Sequence, residues 1–210
     1  MKSIIVGTKD YQQLLKPFGE VTHYHSGLLN KLQDYDTIMF TGGADVNPLR
    51  YGEKVFNHAT HTHNTRDAIE FDLFTLGKRL GKKFIGVCRG AQLLCVANGD
   101  RLIQNVDNHL NRTHGINTLD GRLIPVIGDH HQMMAPDNGL VVAFSKGLST
   151  YYEDGMGKAT PFKREGEVIE PEAVYYEISS SLGVQFHPEW AGETHPSRHY
   201  FNELVEEYIL

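Results

Sequence analysis

A cysteine between two glycines is the residue of this sequence whose surroundings most favour chemistry. Gly86, Cys88 and Gly90 spell the pattern G-x-C-x-G where the apolar run Lys83–Val87 meets a stretch with helical periodicity. A sharp turn from strand to helix exposes its central side chain at a sheet edge, and flanking glycines allow neighbouring chain to approach closely. Backbone N–H groups at a helix N-terminus, here beginning with Arg89, favour a thiolate and can hold an oxyanion. The pattern indicates a nucleophilic Cys88, with a small buried core residue as the alternative interpretation.

A base and an orienting carboxylate for this thiol are available near the C-terminal end of the chain. There an apolar strand stops at His187-Pro188-Glu189. Residues two apart in an extended chain point the same way, and Pro188 keeps the preceding histidine extended. Glu189 can therefore hold one imidazole nitrogen of His187 while the other faces Cys88. A thiolate nucleophile needs such partners, so the sequence predicts a triad of Cys88, His187 and Glu189.

A pair of glycines provides a further set of backbone donors. Gly42 and Gly43 follow the short apolar run Thr37–Phe40. The carboxyl ends of parallel strands meet at one edge of a sheet, which is where open α/β folds bind ligands. We therefore expect N–H groups of this pair to lie opposite Cys88 and to stabilise an oxyanion, and an ordinary turn is the alternative.

The elements that position these residues follow from hydrophobic periodicity. Apolar runs alternate with helical segments over the first hundred residues, which predicts a mostly parallel sheet with helices on both faces. The predicted strands are Ser3–Val6, Glu20–Tyr24, Thr37–Phe40, Lys83–Val87, Leu123–Ile127, Leu140–Phe144, Ala173–Ile178 and Leu182–Phe186. The predicted helices are Asp67–Leu80, with Asn64 or Thr65 as its N-cap, Arg89–Asn98 and Arg198–Ile209.

Composition excludes several classes of function. The 210 residues include 40% hydrophobic and 22% charged residues, carry a net charge of −6 and contain no run of basic residues, so we expect no nucleic-acid partner. The N-terminal apolar run is too short for a signal peptide, and no segment is long enough to span a bilayer. Cys95 lies two helical turns after Cys88, which predicts packing rather than a disulfide. These features predict a cytoplasmic protein with no membrane association.

Six short patterns occur in the same order as in a known group of enzymes. They are Phe40-Thr41-Gly42-Gly43-Ala44-Asp45-Val46-Asn47-Pro48, Tyr51-Gly52-Glu53, Arg66-Asp67 with Glu70, Gly86-Val87-Cys88-Arg89-Gly90-Ala91-Gln92, His130-His131-Gln132, and Gly183 to Glu189. On these residues the sequence resembles the class I glutamine amidotransferase superfamily. It is most similar to the γ-glutamyl hydrolase branch, peptidase C26, which includes γ-glutamyl-γ-aminobutyrate hydrolases. The resemblance implies one domain over residues 1–210 with a flavodoxin-like three-layer α/β sandwich around a mostly parallel central sheet.

The resemblance also assigns roles. It implies the Cys88, His187 and Glu189 triad, an oxyanion hole formed by the backbone amides of Gly43 and Arg89, and a pocket for the glutamyl part of a substrate. The residues that it places in that pocket are Gln92, His130, His131 and Gln132. No metal and no organic cofactor is required.

Three functions are compatible with this pattern. The first is a cysteine hydrolase that cleaves a small γ-glutamyl amide through a γ-glutamyl thioester and releases glutamate and an amine. The second is a glutaminase subunit that passes ammonia from glutamine to a separate synthetase partner. The third is a catalytically idle binding protein on the same fold. Relatives of the fold often self-associate, so a homodimer is compatible with each of them.

Other polar residues have two interpretations each. His58, His61 and His63 lie close together in sequence and could bind a metal, but a solvated loop beside the pocket explains them as well. Asp45 and Arg66 could contact the substrate or pair with each other. The segment from residue 145 to 170 follows no pattern of the family, so it is where we expect the identity of the leaving amine to be encoded, together with the loop at 51–65.

Overall fold

The computed structural model describes residues 1–55 and 61–210, which form an α/β fold around a nine-stranded sheet. The strands are β1 Lys2–Val6, β2 Glu20–His23, β3 Thr37–Phe40, β4 Lys83–Val87, β5 Arg101–Ile103, β6 Asn105–Val106, β7 Arg112–Thr118, β8 Leu123–Gly128, β9 Met133–Ala135, β10 Leu140–Ser145, β11 Tyr152–Asp154, β12 Gly157–Lys158, β13 Lys163–Arg164, β14 Glu167–Val168, β15 Glu170–Tyr176 and β16 Ser181–Val184. The α-helices are α1 Gln12–Leu15, α2 Asn64–Arg79, α3 Arg89–Ala97 and α4 Pro196–Tyr208.

The large sheet consists of a parallel half and an antiparallel half. Its strand order is β2-β1-β3-β4-β16-β15-β10-β7-β8. The strands from β2 to β16 pair in parallel, and those from β16 to β8 pair antiparallel. The chain therefore leaves and returns to the centre of the sheet, where β4 and β16 lie side by side although about 95 residues separate them in sequence.

Helices cover both faces of the parallel half because its strands are apolar on both sides. Successive residues of a strand point to opposite faces. Ile4 and Phe84 pack in a cluster with residues of α2 and α3, whereas their neighbours Ile5 and Ile85 pack with residues of α1 and α4. This arrangement confirms the predicted three-layer sandwich.

The predicted elements of the parallel half agree with the structure within a few residues, but one predicted cap is wrong. Helix α2 begins at Asn64, and its N-cap is His63 rather than Asn64 or Thr65. The His63 Nδ1 atom accepts a hydrogen bond from the Arg66 backbone N–H at 3.2 Å. An imidazole nitrogen can occupy the acceptor position that a carboxylate, amide or hydroxyl oxygen usually takes at a helix start.

Several strands of the second half were not predicted from the sequence. Strand β7 reads RTHGINT and contains a single large aliphatic residue, so periodicity does not reveal it. The segment from 145 to 170 forms the short strands β11 to β14, which pair in two small sheets, one of them with β6. Across the described residues, no helix combines the length and the apolar composition needed to cross a membrane.

Candidate active site

Cys88 occupies a strained turn between the two central elements β4 and α3. Its φ is 51° and its ψ is −111°, a backbone conformation that residues other than glycine rarely adopt. Its backbone N–H donates to the Val184 carbonyl at 2.7 Å, and its side chain is 6% exposed. A Cβ atom on Gly86 would overlap the Gly90 backbone, and one on Gly90 would overlap the Phe40 carbonyl. The two glycines of the motif are therefore required for close packing of β4, β3 and α3.

His187 reaches the same edge of the sheet from strand β16. Val184 of β16 is paired with Val87 of β4, so the chain that follows each strand emerges side by side. The His187 Nδ1–H donates to Glu189 Oε1 at 2.6 Å, and the indole of Trp190 stacks on the imidazole with ring centroids 3.9 Å apart. The backbone N–H of His187 donates to the Ile127 carbonyl at 2.8 Å. Glu189 and Trp190 therefore fix the ring, and Ile127 fixes the backbone that carries it.

The electrostatics of this pair favour a protonated imidazole. Burial opposes charging of the His187 ring, but the neighbouring Cys88 and Glu189 raise its pKa from 6.5 to about 10, Glu189 through its hydrogen bond to Nδ1. An imidazolium beside a thiol stabilises the thiolate, which is the reactive form of cysteine. The arrangement can therefore provide a nucleophile and a general acid at neutral pH.

Gly42 and Gly43 lie against these side chains at the end of β3. A Cβ atom on Gly42 would lie 3.4 Å from Cε1 of His187 and 3.7 Å from Cβ of Cys88. Gly43 has a φ of 142°, which favours glycine. Gly42 is thus beside Cys88, Gly43 lines the same pocket, and the Arg89 amide begins helix α3 directly after Cys88.

A pocket of about 390 Å³ opens over Cys88. Its lining residues are Thr8, Asp10, Tyr11, Gly42, Gly43, Cys88, Asp129, His187, Glu189 and Trp190. The Asp129 carbonyl is 3.9 Å from the Cys88 Sγ atom. The pocket thus contains all three predicted triad residues and Gly43 of the predicted oxyanion hole.

The four predicted substrate contacts are not among the residues that line this pocket. Gln92, His130 and Gln132 are almost fully buried, and the Gln92 amide and the His130 ring both bond to the Gln132 carbonyl. Burial, followed by the charge of His109, lowers the pKa of His130 well below its usual value. His131 is partly exposed, and its Nε2 pairs with the Asp45 carboxylate at 3.0 Å. Their contact with a substrate stays a prediction.

Tyr11 is a residue of the pocket that the sequence did not indicate. Its hydroxyl oxygen would lie 2.6 Å from a Cβ atom on Gly42. Burial, and then the charge and hydrogen bonding of Glu189, raise the pKa of Tyr11 well above its usual range. A tyrosine between the first two predicted strands has the pattern of a core residue, so no sequence signal marks its hydroxyl as a neighbour of Glu189.

The remaining polar candidates that lie in the described part of the chain have structural partners. His58 lies outside the described residues; His61 is exposed and its backbone pairs with Asp45, and His63 caps α2. Asp45 and Arg66 do not pair with each other, because Asp45 bonds to His131 and Arg66 bonds to Glu70.

One buried group among the described residues has the composition of a metal site. Possible ligand atoms of His109, His130 and Glu172 lie within 4.8 Å of one another. However, His114 donates to Glu172 at 2.7 Å and His109 pairs with Glu170 at 3.3 Å. These bonds make the group part of a buried imidazole–carboxylate network behind the pocket.

Comparison with known proteins places the chain in a family. The model of the peptidase C26 family matches residues 20–150. A Lactococcus lactis protein described as glutamine amidotransferase-like, YvdE, is 30% identical over 185 residues, which cover 84% of this chain and 74% of that protein. The fold is similar to that of a glutamine amidotransferase from Thermotoga maritima, with a TM-score of 0.62 at 16% identity over 100% of this chain and 86% of the other. It is also similar to the glutaminase domain of Trypanosoma brucei CTPS with bound acivicin, with a TM-score of 0.60 at 12% identity over 98% and 92% of the two chains.

The fold and these relatives define a member of the class I glutamine amidotransferase-like superfamily. Within it the chain belongs to the peptidase C26 family, whose model covers more than half of its length. The protein is therefore a glutamine amidotransferase-like hydrolase in its general class. The family and the fold predicted from the sequence are confirmed.

Proposed function

We propose that the protein hydrolyses the γ-glutamyl amide bond of a small γ-glutamyl conjugate through a thioester on Cys88. The observation that carries the proposal is the meeting of Cys88, His187 and Glu189 in one pocket, with His187 hydrogen-bonded to Glu189 at 2.6 Å. Membership of the peptidase C26 family supports it. The substrate is a small molecule because the pocket has room for about 390 Å³.

In the first half of the reaction the Cys88 thiolate attacks the γ-carbonyl carbon. The carbonyl electron pair moves to oxygen, and the resulting oxyanion accepts hydrogen bonds from the Gly43 and Arg89 amides. The His187 imidazolium then gives its proton to the departing nitrogen as the carbon–nitrogen bond breaks. A histidine whose pKa is raised by its neighbours Cys88 and Glu189 is suited to this acid role.

In the second half water cleaves the γ-glutamyl thioester. Neutral His187 removes a proton from the water as its oxygen attacks the carbonyl carbon, and the thiolate leaves with the electron pair of the carbon–sulfur bond. Glu189 orients the ring throughout and stabilises its charged form. The products are glutamate and the free enzyme, and no cofactor takes part. Contact of Gln92, His130, His131 and Gln132 with the glutamyl part remains part of the proposal.

Glutamate release by the purified protein tests the proposal. Wild type and Cys88→Ala are each incubated with glutamine and with γ-glutamyl amides whose leaving amines are neutral, carry a carboxylate or carry a second ammonium. The charged amines are included because Asp10 and Asp129 line the pocket. We expect rapid release from at least one conjugate, little release from glutamine and none with Cys88→Ala.

A glutaminase subunit with a separate synthetase partner is the second candidate. The similarity to a glutaminase domain of a synthetase favours it. In that case glutamate release occurs from glutamine and only after a synthetase is added, which would refute the stand-alone hydrolase. An absence of turnover on every substrate, with no acyl group trapped on Cys88, would instead identify an idle binding protein.

Two further parts of the proposal concern the homodimer and the cytoplasmic location. Analytical sedimentation tests the homodimer, and cell fractionation tests the location.

A further inference from the structure

The guanidinium of Arg66 is bound to the backbone beside the nucleophile, although its side chain comes from a different layer of the fold. Its Nη1 donates to the Gly42 carbonyl at 3.0 Å, and its Nη2 donates to the Thr41 carbonyl at 2.9 Å. Its Nε donates to Glu70 Oε1 at 2.8 Å. One planar side chain from helix α2 thus spans two consecutive carbonyls at the end of β3.

The bond to the Gly42 carbonyl determines where the next N–H points. In a trans peptide the C=O and the following N–H point in opposite directions in one plane. The carbonyl of Gly42 points at Arg66, so the N–H of Gly43 points away from it. It points instead to the side of the Gly42 Cα, which lies beside Cys88 and His187. The Gly43 N–H is the donor that the proposed mechanism uses for the oxyanion.

Glycine is needed at position 43 for this contact. A Cβ atom on Gly43 would overlap Arg66 Nη1, and the φ of 142° at Gly43 is unfavourable for other residues. Without a side chain at Gly43, the guanidinium can lie directly against the peptide. Without the Arg66 contact, little would fix the plane of the Gly42–Gly43 peptide, because glycine residues allow many backbone conformations.

A second arginine fixes the other end of the same segment. Arg89 Nε donates to the Ala44 carbonyl at 3.2 Å, and its guanidinium pairs with Asp67 and Glu70. Glu70 therefore bridges Arg66 and Arg89 with its two oxygens. The side chain of Arg89 is 1% exposed, so removing its charge would leave buried carboxylates unpaired. The side chain of Arg66 is 21% exposed, so Arg66 is the member of the pair that can be substituted with less damage to the core.

We propose that Arg66 is a positioning residue that orients the Gly42–Gly43 peptide so that the Gly43 N–H faces the oxyanion. The proposal rests on the proposed function in that it assumes acyl transfer at Cys88. Arg66 acts through the backbone and does not contact the reacting atoms. A conformationally fixed donor is worth more than a mobile one, because no reorganisation is needed as charge develops.

Two reactions of the same thiol separate positioning from general damage. p-Nitrophenyl acetate acylates Cys88 through a tetrahedral oxyanion: the sulfur–carbon bond forms, the ester C–O bond breaks and p-nitrophenolate leaves. Iodoacetamide alkylates Cys88 by displacing iodide at a CH₂ carbon and forms no oxyanion. Both rates are measured for wild type, Arg66→Gln and Arg66→Lys, with Cys88→Ala for background. Arg79→Gln, at the last residue of the same helix and exposed, is the matched control.

We expect Arg66→Gln to lower the acylation rate about ten- to hundredfold and the alkylation rate by a much smaller factor, because the lost positive charge affects both reactions but the oxyanion only the first. Arg66→Lys keeps the charge but not the planar fork, so it should retain only part of the acylation rate. Arg79→Gln should match wild type in both reactions. Circular dichroism identifies any variant that does not fold, and Arg66→Lys then carries the comparison.

Equal loss of acylation and alkylation in a folded variant would overturn the proposal, and so would unchanged acylation. Neither probe contains a γ-glutamyl group. If wild type released no glutamate from any conjugate while Arg66→Gln still lost acylation selectively, the proposed substrate would be wrong and the positioning role would stand.

Discussion

At the scale of single residues, the two cysteines differ because of what surrounds each sulfur. Cys88 lines a pocket and lies beside His187, whereas Cys95 is 0% exposed and its Sγ contacts the Arg101 carbonyl at 3.4 Å. Burial raises the pKa of the Cys95 thiol to about 12. Only Cys88 therefore combines access to a pocket with a neighbouring imidazole.

We predict that iodoacetamide labels one cysteine of the folded protein. At pH 8 a thiol with a pKa of about 12 is ionised in roughly one molecule in ten thousand, so Cys95 should stay unlabelled while Cys88 reacts. Peptide mass spectrometry after a timed reaction measures both sites, and labelling in urea is the control that exposes both thiols. Comparable labelling of Cys95 in the folded protein would contradict the assignment.

A second prediction at this scale concerns the charge of His187. Glu189→Gln removes a charge and weakens a hydrogen bond, so the pKa of His187 should fall from about 10 toward 6.5. Turnover should fall by roughly a thousandfold or more, as in other triads that lose their carboxylate. NMR titration of the His187 ring, assigned by comparison with His187→Asn, measures the pKa. Glu193→Gln, an exposed carboxylate outside the pocket, should leave it unchanged.

The same shift has a consequence for stability. A histidine whose pKa is raised on folding contributes stability that is complete below about pH 6.5 and is lost as pH rises through about 10. The unfolding free energy of wild type should therefore decrease between these pH values, and that of Glu189→Gln should decrease less. If the unfolding free energies of the two proteins changed equally with pH, Glu189 would not be what stabilises the charged form of His187.

At the scale of elements, the site depends on three chain segments that meet without intervening side chains. Strand β3 ends at Phe40, strand β4 leads into Cys88, and helix α3 begins with Arg89 and Gly90. A Cβ atom on Gly90 would overlap the Phe40 carbonyl, so the helix can approach β3 only at a glycine. The distance between the proposed nucleophile and oxyanion donors follows from this contact.

We predict that Gly90→Ala destabilises the protein by about 1–3 kcal/mol and slows acylation of Cys88. The added methyl group must push α3 away from β3 because the opposing atoms are backbone. Urea denaturation measures the loss. Gly192→Ala is the matched control, since a Cβ atom there meets no heavy atom within 4 Å and should change stability by no more than about 0.5 kcal/mol. Equal effects of the two substitutions would contradict this account.

At the scale of the whole molecule, the buried carboxylate of Glu170 connects strand β15 of the antiparallel half to the segment that precedes it. Glu170 accepts hydrogen bonds from the backbone N–H groups of Leu148 and Ser149 at 3.0 and 2.8 Å and from the Tyr152 hydroxyl at 2.8 Å. Burial opposes its ionisation, but the hydrogen bond from His109 and those backbone donors hold the pKa of Glu170 well below its usual value. The segment from 145 to 170 is thereby tied to the sheet that carries the site.

We predict that Glu170→Gln lowers the unfolding free energy by about 2–3 kcal/mol at pH 7. A carboxylate whose pKa is depressed on folding contributes stability above about pH 4.5 and loses it as pH falls. The difference between wild type and Glu170→Gln should therefore shrink at about pH 3.5, as measured by urea denaturation at both pH values. Glu167→Gln, an exposed partner of Lys146, should have little effect. A difference that does not change with pH would refute this role.

The sequence by itself determined the parallel half of the fold and the identity of the proposed triad. Apolar runs of four or five residues define β1, β3 and β4, and the local patterns around Cys88 and His187 mark their strand ends. The reason is that strand burial, glycine-dependent turns and the spacing of His187 and Glu189 act over a few residues of chain. Such local requirements are visible without knowledge of distant partners.

Only the tertiary structure decided which distant side chains serve that edge of the sheet. Arg66 reaches the carbonyls of Thr41 and Gly42 from helix α2. The Tyr11 hydroxyl, from the segment between β1 and β2, lies beside Gly42. Strand β7 is stabilised by pairing with β8 and β10, since its own sequence is polar. In each case the partners lie far apart in sequence. The hydrogen bonds form only after the layers pack. The pattern Arg66-Asp67 with Glu70 marks Arg66 in the sequence, but it does not say which carbonyls the guanidinium binds.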